Sequence, residues 1–96
     1  MDAKQQALVD KIEAKIEQSR AEVDRLKARA KEAKADQQIE LQEQIDSLEK
    51  KKADAQERLK EVKSASGNAW EDLKGGAENA WETLSESVRK ASERFR

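Results

Sequence analysis

The apolar positions of this chain fall on a narrow stripe with helical spacing. Ile12, Ile16, Ser19, Val23, Leu26, Ala30, Ala33 and Gln37 follow in alternating steps of four and three, a heptad seam along one helix face. Gln37, Leu41 and Ile45 are then joined by consecutive steps of four, before Leu48, Lys52, Ala55, Leu59, Val62 and Ser66 resume the alternation. The extra four is a stutter, equivalent to one eleven-residue repeat set among heptads. Asp2 with Gln5 three residues later forms a capping-box pattern, so helix is expected from about residue 3. Nothing in residues 3–63 obliges it to stop, because the chain has no Pro and no Gly before Gly67.

The last third changes period. Asn68-Ala69-Trp70-Glu71-Asp72-Leu73 returns eleven residues later as Asn79-Ala80-Trp81-Glu82-Thr83-Leu84. The stripe here runs Trp70, Leu73, Ala77, Trp81, Leu84, Val88, Ser92, Phe95. Eleven residues in three turns is close to the natural helix period, so the stripe stays on one face of an almost straight helix. The expected fold is therefore all-α, a long helical coiled coil in which heptads pass into eleven-residue repeats.

Two places qualify a single rod. Between Lys27 and Gln38 there is no large apolar side chain. Continuous helix, with alanines that let a partner approach closely, and a helical hairpin with its tip near residues 35–37 and Asp36 as N-cap both fit. The absence of Gly and Pro favours continuity. Ser64-Ala65-Ser66-Gly67-Asn68 gathers turn-favouring residues, which favours a break or kink at 64–68, with Gly67 closing one helix and Asn68 with Glu71 capping the next. Helix running straight through is the alternative, since Leu59, Val62 and Ser66 already match the repeat positions. The chain thus divides into a heptad-type helix, 1–66, and an eleven-residue-repeat helix, 67–96, forming one elongated unit. Gly75-Gly76 fits either a close backbone approach or a locally weak helix.

Composition narrows the function. Of 96 residues, 35% are hydrophobic and 43% charged, with net charge −1, two Trp, one Phe and no Tyr. That is too little for an ordinary globular core and typical of long helices. Residues 1–35, 36–66 and 67–96 are each nearly balanced in charge, so nucleic acid is not an expected partner. With no Cys and no His, thiol nucleophiles, thiolate or imidazole ligands and a neutral-pH imidazole base are excluded. No apolar run reaches 18 residues, and the polar start lacks a signal-peptide core, so a cytoplasmic location is expected. No catalytic, cofactor-binding or metal residue is assigned. Charge pairs such as Asp46 with Lys50, Asp54 with Arg58 and Glu86 with Lys90 read as solvated helix faces.

A seam this narrow buries nothing within one helix, so partner helices are implied, from a hairpin or a homo-oligomer. A fold-back of residues 68–95 onto one long helix would cover about half its seam by length and leave the rest for another subunit. The expected interaction seam is Ile12, Ile16, Val23, Leu26, Leu41, Ile45, Leu48, Leu59, Val62, Trp70, Leu73, Ala77, Trp81, Leu84, Val88 and Phe95. The expected function is a non-enzymatic structural or protein-interaction protein that self-associates through it. A membrane surface is the less favoured partner. Trp70, Trp81 and Phe95 with flanking Lys74, Arg89, Lys90, Arg94 and Arg96 suit a headgroup boundary, but the segment is slightly acidic and contains Gly.

At Ala69-Trp70-Glu71-Asp72-Leu73-Lys74, Ala80-Trp81-Glu82-Thr83-Leu84 and the upstream Gln42-Glu43-Gln44-Ile45-Asp46-Ser47-Leu48, the chain resembles small uncharacterised bacterial coiled-coil domain-containing proteins. The paired Ala-Trp-Glu-x-x-Leu spacing is the specific part. The resemblance implies an all-α fold and carries over no catalytic residue. Desiccation-protective proteins and exchangeable apolipoproteins share the eleven-residue period alone, and a stress-protective helix is the corresponding alternative.

Leu84 lies at the centre of the second repeat, and Ser87 falls off the stripe. Leu84→Asp is expected to cost on the order of 3 kcal/mol by burying an unpaired carboxylate. Ser87→Asp adds the same charge and should cost under about 0.5 kcal/mol. Thermal melts at equal concentration check this, and equal midpoints would mean the stripe is solvent-exposed.

Overall fold

The computed structural model describes all of residues 1–96 and is all-helical, with no strand. Helix α1 spans Ala3–Glu32, α2 Ala35–Ser64 and α3 Ala69–Arg94. They pack as a slender bundle, 52 × 17 × 16 Å. The ion pair Lys27–Glu49 and the contact between Lys63 and Glu13 run α1 and α2 antiparallel. Trp70 meets Asp2 at one end and Arg29 meets the Phe95 carbonyl at the other, so α3 lies parallel to α1.

Continuity across residues 27–38, the favoured expectation, is not observed. The chain turns back at Ala33 and Lys34, both in extended backbone with ψ of 155°. Lys34 is the N-cap of α2 and makes no side-chain capping bond, so Asp36 sits in the first turn and is not the cap. The reason is tertiary. One straight helix would leave half of its stripe in water, whereas a turn of two residues lets Val9, Ile12, Val23 and Leu26 bury against Leu41, Ile45, Leu48 and Val62. Gln37, on the stripe by spacing, is exposed beside this turn.

The break at 64–68 is observed. Helix α2 ends at Ser64, with Ala65 as its cap, and Gly67 adopts φ +59, the one positive φ in the chain. Gly67 lies two residues past the cap, so it turns the chain into α3 and does not itself close α2. Asn68 precedes α3 without a side-chain cap, leaving the Glu71 amide to donate to the Asn68 carbonyl at 3.1 Å.

The Asp2 cap is observed in part. The Gln5 amide donates to Asp2 Oδ1 at 2.7 Å. The Gln5 side chain does not reach back to Asp2. It is buried, and its Nε2 donates to the Val62 carbonyl at 2.7 Å and the Ala65 carbonyl at 3.1 Å. Those are C-terminal carbonyls of α2 that lack intrahelical partners, so one side chain of α1 finishes another helix.

Gly67 and Gly75 should respond oppositely to alanine. A Cβ at Gly67 meets nothing, but the left-handed backbone makes Gly67→Ala destabilising by about 1 kcal/mol. Gly75 is helical with open space around it, so Gly75→Ala should stabilise by about 0.5–1 kcal/mol. At roughly 4–8 °C per kcal/mol for a domain of this size, melting curves resolve both signs.

Candidate interaction surface

Thirteen of the sixteen seam residues are buried inside the bundle: Ile12, Ile16, Val23, Leu26, Leu41, Ile45, Leu48, Leu59, Val62, Trp70, Ala77, Leu84 and Val88. They form one continuous core. Trp81 and Phe95 are half-buried at its edge, and Leu73 is on the surface with 36% exposure. The seam is therefore largely covered within one chain. The expectation that α3 covers half of it and leaves the rest for another subunit is corrected by the hairpin, which adds a third helix.

The two repeats play different parts, and helix geometry explains why. At 100° per residue, eleven residues overshoot three turns by about 20°. Trp70 points inward and Leu73, about 60° round the helix, falls on the flank. The buried line of α3 steps instead by seven, through Trp70, Ala77, Leu84 and Ala91, as in a supercoiled bundle, so an eleven-residue step leaves Trp81 at the edge while Leu84 is completely buried. Identical spacing thus gives a buried Trp with an exposed Leu, then a half-exposed Trp with a buried Leu. Ser92 is half-buried and Ala91 fully buried for the same reason.

Both indole rings carry a lysine. Lys74 Nζ stands 5.8 Å from the Trp70 ring centre, from the next turn of α3. At Trp81 the equivalent place is taken from α1, by Lys15 at 4.8 Å. The Trp70 Nε1–H donates to Asp2 Oδ2 at 3.2 Å, giving its polar edge a partner. Trp81 edges a groove between α1 and α3 that contains Ser19, Ser85, Val88 and Ser92.

Six buried residues lie outside the expected seam: Ser19, Ala30 and Ala55, which stand on the heptad stripe, and Gln5, Val9 and Ala91. Val9 lies three residues before Ile12 and Gln5 four before Val9, so the heptad spacing contained them. Ala91 lies seven residues beyond Leu84 on the same buried line. Ile39, off the seam, is 65% exposed. Of the surface charge pairs, Asp54–Arg58 and Glu86–Lys90 form at 3.5 and 3.9 Å. Asp46 instead accepts from Gln42 Nε2 at 3.0 Å. Arg58 also passes over Gly76, where an added Cβ would lie 3.3 Å from its guanidinium.

The charge cluster that ties helices together centres on Glu49. It bridges Lys27 of α1 and Lys52 of α2, and Lys52 occupies a seam position with its ammonium carried out to that carboxylate. The Lys27 hydrogen bond, then that of Lys52, hold the Glu49 carboxyl below the usual carboxylate range, and the Lys27 ammonium is correspondingly raised. On α3, Arg89 lowers Glu86 in the same way at the open surface. No group of three or more acidic side chains is placed to hold a metal ion. No helix is long and apolar enough to cross a membrane.

No protein-family model, curated protein or solved structure matches the chain.

Because Glu49 is more acidic folded than unfolded, its contribution is present above the unfolded carboxylate value, about 4.3, and is lost as pH falls through the lower folded value. Urea unfolding from pH 7 to pH 3 should show stability falling on the acid side. Glu49→Gln should begin lower at pH 7 and fall less. An equal fall in both proteins would remove Glu49 from the account.

Proposed function

We propose that this chain is a non-enzymatic structural or protein-interaction protein that self-associates through its apolar seam. The observation that carries the reading is where the chain spends its large apolar side chains: thirteen of sixteen seam positions lie between helices. The grooves on the surface are lined mostly by charged and polar side chains, with one or two apolar residues in each. Since the seam is already covered in one chain, sharing it with a second copy requires helices to be exchanged. A cytoplasmic location and kinship with the small bacterial coiled-coil proteins belong to the same proposal.

A reversible lipid-surface binder is the second reading, favoured by one observation. All three aromatic residues belong to this segment, Trp70 and Trp81 on α3 and Phe95 as its C-cap, and exposed Leu73 and half-exposed Trp81 already widen its apolar face toward solvent. Binding would need α3 to leave the bundle, because Trp70, Leu84 and Val88 face inward. A stress-protective helix, unfolded when dilute, is a third reading that circular dichroism in buffer separates.

Analytical ultracentrifugation from micromolar to millimolar concentration tests the first reading, which expects mass to rise toward a dimer. A constant monomer mass throughout would overturn self-association. Tryptophan emission with neutral and anionic vesicles tests the second. A blue shift beyond that of the closed bundle supports α3 insertion, and an unchanged spectrum with both vesicle types eliminates it.

A further inference from the structure

The two joins of the bundle are built differently. The α2–α3 linker has a left-handed glycine, Gly67 at φ +59, among small polar residues, so its sequence specifies a stop. The α1–α2 turn has no such device. Ala33 and Lys34 have ordinary φ of −76° and −65°, and they leave the helix through ψ alone. The residues on either side, Ala30-Lys31-Glu32 and Ala35-Asp36-Gln37-Gln38, contain no glycine or proline, and most of them favour helix. The turn exists because α1 has α2 to pack on.

A straightened turn keeps the seam intact. Ala30, Ala33, Gln37 and Leu41 follow at three, four and four residues, so the core stripes of α1 and α2 stay on one face of a helix over residues 3–64. Carbonyls at the end of α1 and amides at the start of α2, which the turn deprives of intrahelical partners, would then bond to each other. Residues 27–38 carry no large apolar side chain, and alanine stands at the seam positions 30 and 33, so two such helices can cross there closely.

From these observations we propose that the chain forms a helix-exchanged dimer with a second copy of itself. The Ala33–Lys34 turn straightens in both copies, and α1 of each packs against α2 and α3 of the other. The proposal rests on the self-association reading and specifies its route. The ties of α1 to the bundle are remade between copies: Gln5 to Val62 and Ala65, Asp2 to Trp70, Glu13 to Lys63, Lys15 to Trp81, Lys27 to Glu49, and Arg29 to Phe95. The closed monomer and the exchanged dimer thus share a core and differ at the hinge, so concentration sets the balance. α1 must leave its own bundle to exchange, which makes the interconversion slow.

Lys34→Pro tests this directly. The φ of −65° at Lys34 and the extended Ala33 before it suit proline, so the closed bundle should fold with unchanged helix content. Inside a straight helix the same proline weakens dimerisation by about a hundredfold or more per hinge. Both proteins are refolded at millimolar concentration and separated by size with light scattering. X-ray scattering then measures the longest dimension of any dimer. The expected result is a native dimer near 90 Å long, from residues 3–64 at about 1.5 Å per residue, that persists on dilution and is absent in Lys34→Pro. A dimer retained in Lys34→Pro, or a native dimer close to the 52 Å of one bundle, would overturn the exchange and leave self-association standing. Native protein that stays monomeric even after refolding at millimolar concentration would overturn both. If Lys34→Pro fails to fold, the length of the native dimer decides.

Discussion

The burial of a two-in-seven apolar stripe governs this structure, because such a stripe contributes nothing until another helix lies along it. In this chain, α1, α2 and α3 all present the stripe to a common axis, and the core that results is one residue wide along each helix. Val9, Leu26, Leu41, Leu48, Ala77 and Leu84 meet there with almost no exposure. Everything else in the fold serves that closure. The turn at Ala33–Lys34 and the linker around Gly67 are placed so that three stripes of similar length coincide.

Polar groups finish what the stripe begins. At the end where α1 starts, Asp2 caps its own helix and accepts from Trp70, while Gln5 satisfies the last carbonyls of α2. At the other end, Arg29 meets the Phe95 carbonyl and Arg94 pairs with Glu40. Between them, Glu49 draws Lys27 and Lys52 together across α1 and α2. These contacts add direction to a core that is otherwise indifferent to register, since Ile, Leu and Val pack against one another in many alignments. A balanced charge pattern lets every exposed face find opposite charges without giving the surface one dominant sign.

The eleven-residue repeat shows how far periodicity reaches. Its two copies are nearly identical in sequence, yet they occupy unequal environments because the buried line of α3 steps by seven residues, through Trp70, Ala77, Leu84 and Ala91, and an eleven-residue step leaves that line. Leu73 is consequently on the surface and Leu84 in the core. Val9 and Gln5 were legible as a backward extension of the heptads, and the buried role of Gln5 follows once its neighbours across the bundle are known.

The sequence by itself determined the helical character, the apolar face, the break near Gly67 and the thirteen of sixteen seam positions that are buried, because period, capping residues and glycine act within a few residues of where they stand. The tertiary structure alone decided that the chain reverses at Ala33–Lys34, that the seam closes on itself, and that Leu73, Trp81 and Phe95 lie at or beyond its edge. The physical reason is range. Helix propensity through Ala30–Gln38 is indifferent to what lies at Leu41 or Leu48, and the preference for a turn arises only when those side chains are weighed against water.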